Sequence, residues 1–255
     1  KPLGYNTKGI FVAREMREKI LPYIGHIEKQ FWPTNISHSE IMWSNEVANI
    51  ILDNYLAKYN NSNPLFLMLW NNIRHDKNIS DNLIKTEQIL KKYDFWEDSI
   101  IIFCADHGYP HPRRGFTPEG LISDGLTHDL ILTDDNILIP LFIKTSKVVP
   151  REINEVVGTI DLFPTIIDYI EDDSIANASQ ELPGRSIKHL IENTETKNKY
   201  PLDLYYRCDS RFIGQSDRKT AIRSQNYKYI FNHDSASEEF YDLMKDSGED
   251  VDIIN

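Results

Sequence analysis

Two short, wholly apolar runs stand out along the chain: Leu65-Phe66-Leu67-Met68-Leu69-Trp70, and Ile100-Ile101-Ile102-Phe103-Cys104 behind Ser99. Apolar runs of this length, bounded by polar segments, are the signature of buried strands. The stretch Ile137 to Ile143 predicts a third strand on the same grounds. Between the first two runs, Asp81 can cap a helix reaching about Tyr93, with Leu83, Ile84, Ile89 and Leu90 on its apolar side. Farther on, Asp161-Leu162-Phe163-Pro164 opens a helix to Ile170 with proline inside its first turn, where a missing N–H costs nothing. Apolar strands alternating with amphipathic helices predict an α/β domain built on a largely parallel sheet flanked by helices.

The pattern is weaker at both ends. Residues 1–63 suggest helices around Phe11–Ile24 and Glu40–Tyr59, with Pro33 and Asn35 between them. After Leu182-Pro183-Gly184-Arg185 the runs shorten to Leu204–Cys208, Ala221–Arg223, Tyr227–Phe231 and Glu239–Leu243, separated by Gly, Asp and Asn turns. This predicts a small antiparallel C-terminal sheet. The expected organisation is a poorly patterned helical segment over 1–63, the α/β domain over 64–182 and the antiparallel subdomain over 183–255.

Composition narrows the function classes. A net charge of −11 from 28 basic and 39 acidic residues argues against a general nucleic-acid binder, whose surface must attract phosphates. No run approaches the roughly 18 apolar residues of a membrane span. The two cysteines, Cys104 and Cys208, cannot form a zinc cluster by themselves. Cys104 closes an apolar strand and reads as a buried small hydrophobe rather than a reactive thiol. Sequons at Asn35, Asn60, Asn78 and Asn177 arise readily in an Asn-rich sequence and assign no compartment. The chain opens on Lys1 without a signal-peptide pattern, so a fragment, a processed product or an excised domain is expected.

The chemistry concentrates at Asp106-His107-Gly108, directly after a predicted strand. A carboxylate beside an imidazole can ligate one divalent cation, and ligands in α/β sheets sit beyond the carboxyl ends of strands. Gly108 is expected to let the backbone turn sharply. A loop carboxylate capping a turn beside an ordinary histidine has the same sequence, so the tripeptide alone leaves both readings open.

The wider context is more specific. The segment from Phe95 to Gly108 resembles the W-D-N-T-I-V-I-F-T-S-D-H-G element of the sulfatase family of the alkaline phosphatase superfamily. Ile139-Pro140-Leu141-Phe142-Ile143-Lys144 resembles its V-P-L-I-I-R strand, and Gly158-Thr159-Ile160-Asp161-Leu162-Phe163-Pro164-Thr165-Ile166-Ile167-Asp168 its V-D-L-F-P-T-I-L-D helix start. Leu182-Pro183-Gly184-Arg185-Ser186 is similar to L-P-G-x-S. Ala221 to Ile230 and Glu239 to Leu243 are similar to A-I-R-x-x-x-Y-K-Y-I and E-L-Y-D-L. These motifs stand in the family's order over residues 64 to 250.

The resemblance implies a metal-dependent hydrolase of sulfate esters. Asp106 and His107 match the family's metal-ligand pair. His75 matches the histidine near the sulfate, and His128 lies near the position of a residue that binds the sulfate or protonates the leaving group. Arg113, Arg114 and His111 are cationic candidates for holding an anionic ester substrate, with a sulfated glycan as the expected class. The resemblance implies calcium, while the ligand chemistry alone leans toward manganese or zinc. The nucleophile, a formylglycine made within C/S-x-P-x-R, is not encoded in these residues, and the expectation is that a further N-terminal portion supplies it in cis. Two other readings are open: a phosphodiesterase or phospho-head-group transferase of the same superfamily, and a non-catalytic domain that keeps the fold. The compartment is not assigned; periplasmic, extracellular and lysosome-like settings are all compatible.

Overall fold

The computed structural model describes residues 6–11, 29–31, 45–59, 64–70, 79–108, 131–146, 148–170, 182–194, 205–210 and 218–254. The chain divides into two compact units, Lys1–Ser99 and Ile100–Asn255. No described helix is long and apolar enough to cross a membrane.

The first unit contains a three-stranded parallel sheet in the order β2-β1-β3, formed by β1 (Asn6–Phe11), β2 (Lys29–Phe31) and β3 (Leu65–Trp70). β1 and β3 run in register from Asn6 opposite Leu65 to Phe11 opposite Trp70. Two helices accompany the sheet, α1 (Asn45–Leu56) and α2 (Ile79–Lys92). Ala48, Leu52 and Leu56 recur every four residues and give α1 one buried stripe. Leu52 and Leu56 meet Leu65, Leu67 and Leu69 of β3, together with Ile89 and Leu90 of α2 and Tyr93 and Phe95 just beyond it. The period of two in β3 sends those leucines to the core and leaves Phe66 43% exposed, so this apolar run is half-buried rather than buried on both faces. Between the helices, Thr86 donates to Asn49 Oδ1 at 2.7 Å and Lys92 pairs with Asp53 at 2.8 Å.

The expected helix over Glu40–Tyr59 is α1, and the one opening near Asp81 is α2. The helix expected around Phe11–Ile24 lies outside the described residues except for Phe11, which ends β1.

The second unit begins with an antiparallel pair, β4 (Ile101–Cys104) and β5 (Leu141–Lys144), in register from Ile101 opposite Lys144 to Cys104 opposite Leu141. The third strand expected over Ile137–Ile143 is therefore shorter. Asp134–Ile137 forms a single helical turn, α3, in which the amides of Asn136 and Ile137 donate to Thr133 O. Ile137 packs against the core that contains Leu132, whereas a strand would have carried it away. Cys104, the last residue of β4, is exposed rather than buried.

A 3-10 turn at Thr159–Asp161 leads into α4 (Leu162–Ile170), whose buried face carries Pro164, Thr165 and Ile167. Asp161 is buried and fully engaged. Its carboxylate accepts from the amides of Gly158 and Arg185, each at 2.9 Å, and from the Tyr206 hydroxyl. Thr165 extends the node by donating to Asp161 O at 2.6 Å and accepting from the Ile187 amide at 3.0 Å, just before α5 (Lys188–Glu192). Gly184 explains its own place in the sequence: a Cβ there would lie 2.0 Å from Ile160 O.

The C-terminal strands form the expected antiparallel sheet. β6 (Tyr205–Ser210), β7 (Lys219–Ser224), β8 (Tyr227–Asn232) and β9 (Glu238–Asp242) pair in chain order. Ala221, Ile230, Tyr241 and Leu243 bury one face against Leu132 and Ile137. Lys228 shares that inward face and is completely buried. Its ammonium pairs with Asp134, lies 2.7 Å from Glu249 and donates to Leu132 O at 3.2 Å. Arg223 binds the other side of Asp134, Nη2 to Oδ2, at 2.9 Å. Burial pushes the Asp134 carboxyl up, but Arg223 and Lys228 together outweigh it and hold the group below its ordinary value. For Glu249 burial prevails and the carboxyl is raised, although Lys228 opposes the shift.

Two changes test this framework. Gly184→Ala must displace the Ile160 carbonyl and should cost about 1–3 kcal/mol in urea unfolding. Lys228→Met leaves Glu249 without its cation and should cost roughly 3–5 kcal/mol at neutral pH. The gap between Lys228→Met and the parent should close in acid. There the depressed Asp134 loses its stabilising contribution as pH falls through its folded value, and the raised Glu249 is neutralised by protonation. Denaturant melts compared at neutral and at acid pH would show it.

Candidate functional site

The apolar run of β4 ends at Cys104, and Ala105 carries the chain to Asp106, His107 and Gly108 at the strand's carboxyl end. The Asp106 side chain is half exposed and the His107 ring about one-third exposed, at 50% and 32%. Asp106 Oδ1 accepts from the His107 amide at 3.0 Å, which fixes the carboxylate against its own backbone. Its Oδ2 faces His107 Nε2 at 3.8 Å. The two side chains therefore converge instead of pointing to opposite sides of the loop.

The orientation of the ring has a definite cause. His107 Nδ1 lies 2.7 Å from Gly108 O, and since a carbonyl only accepts, Nδ1 carries the proton in this bond. Nε2 lies on the side of Asp106. A hydrogen bond from one ring nitrogen to a backbone carbonyl is a usual support of a metal-binding histidine.

Gly108 is held from its other side as well. Its amide donates to Asn136 O at 2.6 Å, and a Cβ at this position would lie 2.3 Å from Asp135 O. The glycine is needed for this close backbone approach to α3; the expected sharp turn is not what requires it. Asn136 is buried and its side-chain amide donates to Ile131 O at 2.7 Å. Partial desolvation raises the Cys104 thiol despite its surface position, with a smaller contribution from Asp106, so the thiol is not activated as a nucleophile.

Of the residues singled out in the sequence, the structure brings together Asp106 and His107. His75, His111, Arg113, Arg114 and His128 lie outside the described residues. Among the described residues no group of three or more His, Cys, Asp or Glu side chains is arranged to hold a metal ion. The pair fits a divalent cation as two members of a larger ligand set: one hard oxygen and one imidazole nitrogen, convergent and accessible. The buried hub of Lys228, Asp134, Glu249 and Arg223 was not anticipated. Its signal was a lysine at an inward position of a strand whose neighbours alternate toward the core.

The comparisons agree with these motifs. The family model described as N-sulphoglucosamine sulphohydrolase, C-terminal, matches residues 125–255, just over half of the chain. Among solved structures, the chain is similar to a 2-O GAG sulfatase at 20% identity and TM-score 0.55, over 69% of this chain and 36% of that one. It is also similar to a candidate sulfatase of Bacteroides thetaiotaomicron VPI-5482, at 14% identity and TM-score 0.64, over 88% of this chain and 62% of that one. A third, solved with its substrate D-glucosamine-2-N,6-O-disulfate, is 20% identical with TM-score 0.52, over 69% of this chain and 34% of that one. The chain thus spans about a third of the length of two of these proteins and less than two thirds of the other. The three likenesses place its fold with theirs, an α/β fold of the sulfatase type. The chain belongs to the N-sulphoglucosamine sulphohydrolase C-terminal family, within the sulfatases of the alkaline phosphatase superfamily.

Proposed function

We propose that this chain is the C-terminal part of a metal-dependent sulfuric ester hydrolase acting on a sulfated glycan, with Asp106 and His107 as two of its metal ligands. The observation that carries the reading is the state of His107: Nδ1 is committed to Gly108 O at 2.7 Å and Nε2 is turned toward the Asp106 carboxylate. Membership of the family supports sulfate as the ester. Sulfated sugars as substrates are suggested by the 2-O GAG sulfatase and by the D-glucosamine-2-N,6-O-disulfate complex.

In this reading the large, mainly parallel sheet is completed by segments in cis that also bring the nucleophile and the remaining ligands. Residues 64–182 belong to that α/β domain, as do β1 and β2, which share a parallel sheet with β3, and 183–255 form the antiparallel subdomain. A bound divalent ion, calcium by family likeness with manganese and zinc as the alternatives on ligand chemistry, would supply charge stabilisation at the ester oxygens. Asp106 would neutralise part of its charge and His107 would orient through Nε2. His75 and His128 would contact the sulfate or protonate the leaving oxygen, and Arg113 and Arg114 would hold further anionic groups of the substrate.

The test is made on the longest natural polypeptide containing this chain, assayed with aryl and glycan sulfates and with phosphate esters in the presence of calcium, manganese or zinc. Sulfate esters should be turned over in preference to phosphate esters. Asp106→Ala and His107→Ala should each lower kcat/KM by at least about 100-fold, the upper end of the loss seen when even a supporting partner of a metal ligand is removed. Parental rates in both variants would end the reading.

A further inference from the structure

Residues 246–254, beyond β9, reach α3 through one buried side chain. Glu249 is buried, its carboxylate accepts from the Asp134 amide, and it lies 2.7 Å from the Lys228 ammonium. Its backbone stands at φ 54°, in the left-handed region that residues other than glycine seldom adopt. The rest of the segment is fastened by polar bonds. The Asp246 carboxylate accepts from the amides of Asp250 and Val251, each at 2.8 Å. Asp252 accepts from the Phe240 amide at 2.9 Å, and the Ile253 amide donates to Phe240 O at the same distance. Val251, Ile253 and Ile254 are all exposed, so apolar burial adds little. An element held this way opens at less cost than the core does.

The other end of the same turn touches the candidate site. Asn136 O accepts the Gly108 amide at 2.6 Å and so holds the peptide that joins His107 to Gly108. We propose that residues 246–254 form a strap whose closure on α3 and divalent-ion binding at Asp106 and His107 favour each other. The inference rests on the reading of those two residues as metal ligands. Asp134 is the first residue of α3, so its amide has no acceptor within the turn, and Glu249 supplies one. Glu249 also gives Lys228 its second carboxylate beside Asp134. With the strap open, the amide and the ammonium both lose a buried partner, and the turn shifts to recover it from water. A shifted turn carries Asn136 O with it and releases the backbone next to His107. An ion that needs His107 in place then binds the open form less tightly, and by linkage it favours the closed form by the same factor.

The experiment uses the longest natural polypeptide containing the chain, with calcium or manganese alone as the probe. Hydrogen exchange read by mass spectrometry should show the amides of residues 246–254 slowing severalfold when the ion is added, and those of α4 slowing less. General stabilisation by a bound ion would slow both alike. Glu249→Ala releases the strap and should weaken ion binding about 10-fold in calorimetric titration, within the usual range of coupling between sites. Should Glu249→Ala not fold, Asp246→Ala takes its place: it removes the acceptor of the Asp250 and Val251 amides and spares the charge cluster. It should weaken binding about 5-fold. Equal slowing of strap and α4, or a folded strap variant with parental ion affinity, would overturn the proposal. Asp106→Ala separates this inference from the reading beneath it. Ion binding that is absent from the parent, or unchanged in Asp106→Ala, sinks the metal-pair reading and the strap with it. Binding lost in Asp106→Ala, with strap exchange in the parent indifferent to the ion, sinks the strap alone.

Discussion

The completely buried ammonium of Lys228 is the interaction on which the C-terminal unit turns. An isolated ammonium in a protein interior costs several kcal/mol, and a single carboxylate seldom recovers it. Here the charge is shared between Asp134 and Glu249, a backbone carbonyl accepts a further N–H of the ammonium, and Arg223 adds a second cation beside Asp134. Two cations face two carboxylates, so the cluster is close to neutral. The arrangement ties together three stretches distant in sequence: the turn at Asp134–Ile137, strands β7 and β8, and the segment after β9 at Glu249. Apolar packing of Leu132 and Ile137 on the sheet supplies most of the contact area, but it is indifferent to small sliding. The charges are not, and they set where the turn sits.

A second polar node does comparable work around α4. Asp161 spends both carboxylate oxygens on the amides of Gly158 and Arg185 and on the Tyr206 hydroxyl. Thr165 links the same turn to Ile187. The segments that resemble family motifs, Gly158–Asp168 and Leu182–Ser186, thus meet each other, with Gly184 pressed against Ile160 O. Their residue types follow from backbone satisfaction and close approach and require no part in chemistry. The motif at Asp106–Gly108 differs, since two of its three side chains or backbone groups are arranged around an accessible, convergent donor pair.

Much of the fold was legible in the chain. The runs at 65–70 and 101–104, the helix beginning near Asp81 and the four C-terminal strands declare themselves through apolar run length, helical spacing and turn residues. β1 and β2 did not, because Asn-Thr-Lys-Gly-Ile-Phe and Lys-Gln-Phe carry too little apolar pattern; their strand state comes from parallel pairing around β1. The stretch from Ile137 onward misled for the opposite reason. Its apolar run is real, but its first residue turns inward to the core while Leu138 stays 62% exposed.

Sequence alone determined the α/β class, the family resemblance and the identity of Asp106 and His107 as candidate ligands, since these depend on residue types and local spacing along the chain. Only the tertiary structure decided that the two side chains converge, that Gly108 is needed to admit a neighbouring backbone, and that Lys228 points inward to hold Asp134. Each of these joins residues far apart in the chain: about 30 positions separate Gly108 from its partners, and about 90 separate Asp134 from Lys228 and Arg223. Pairings over such separations are set by packing and by the cost of unsatisfied buried charge, neither of which leaves a local trace in the sequence.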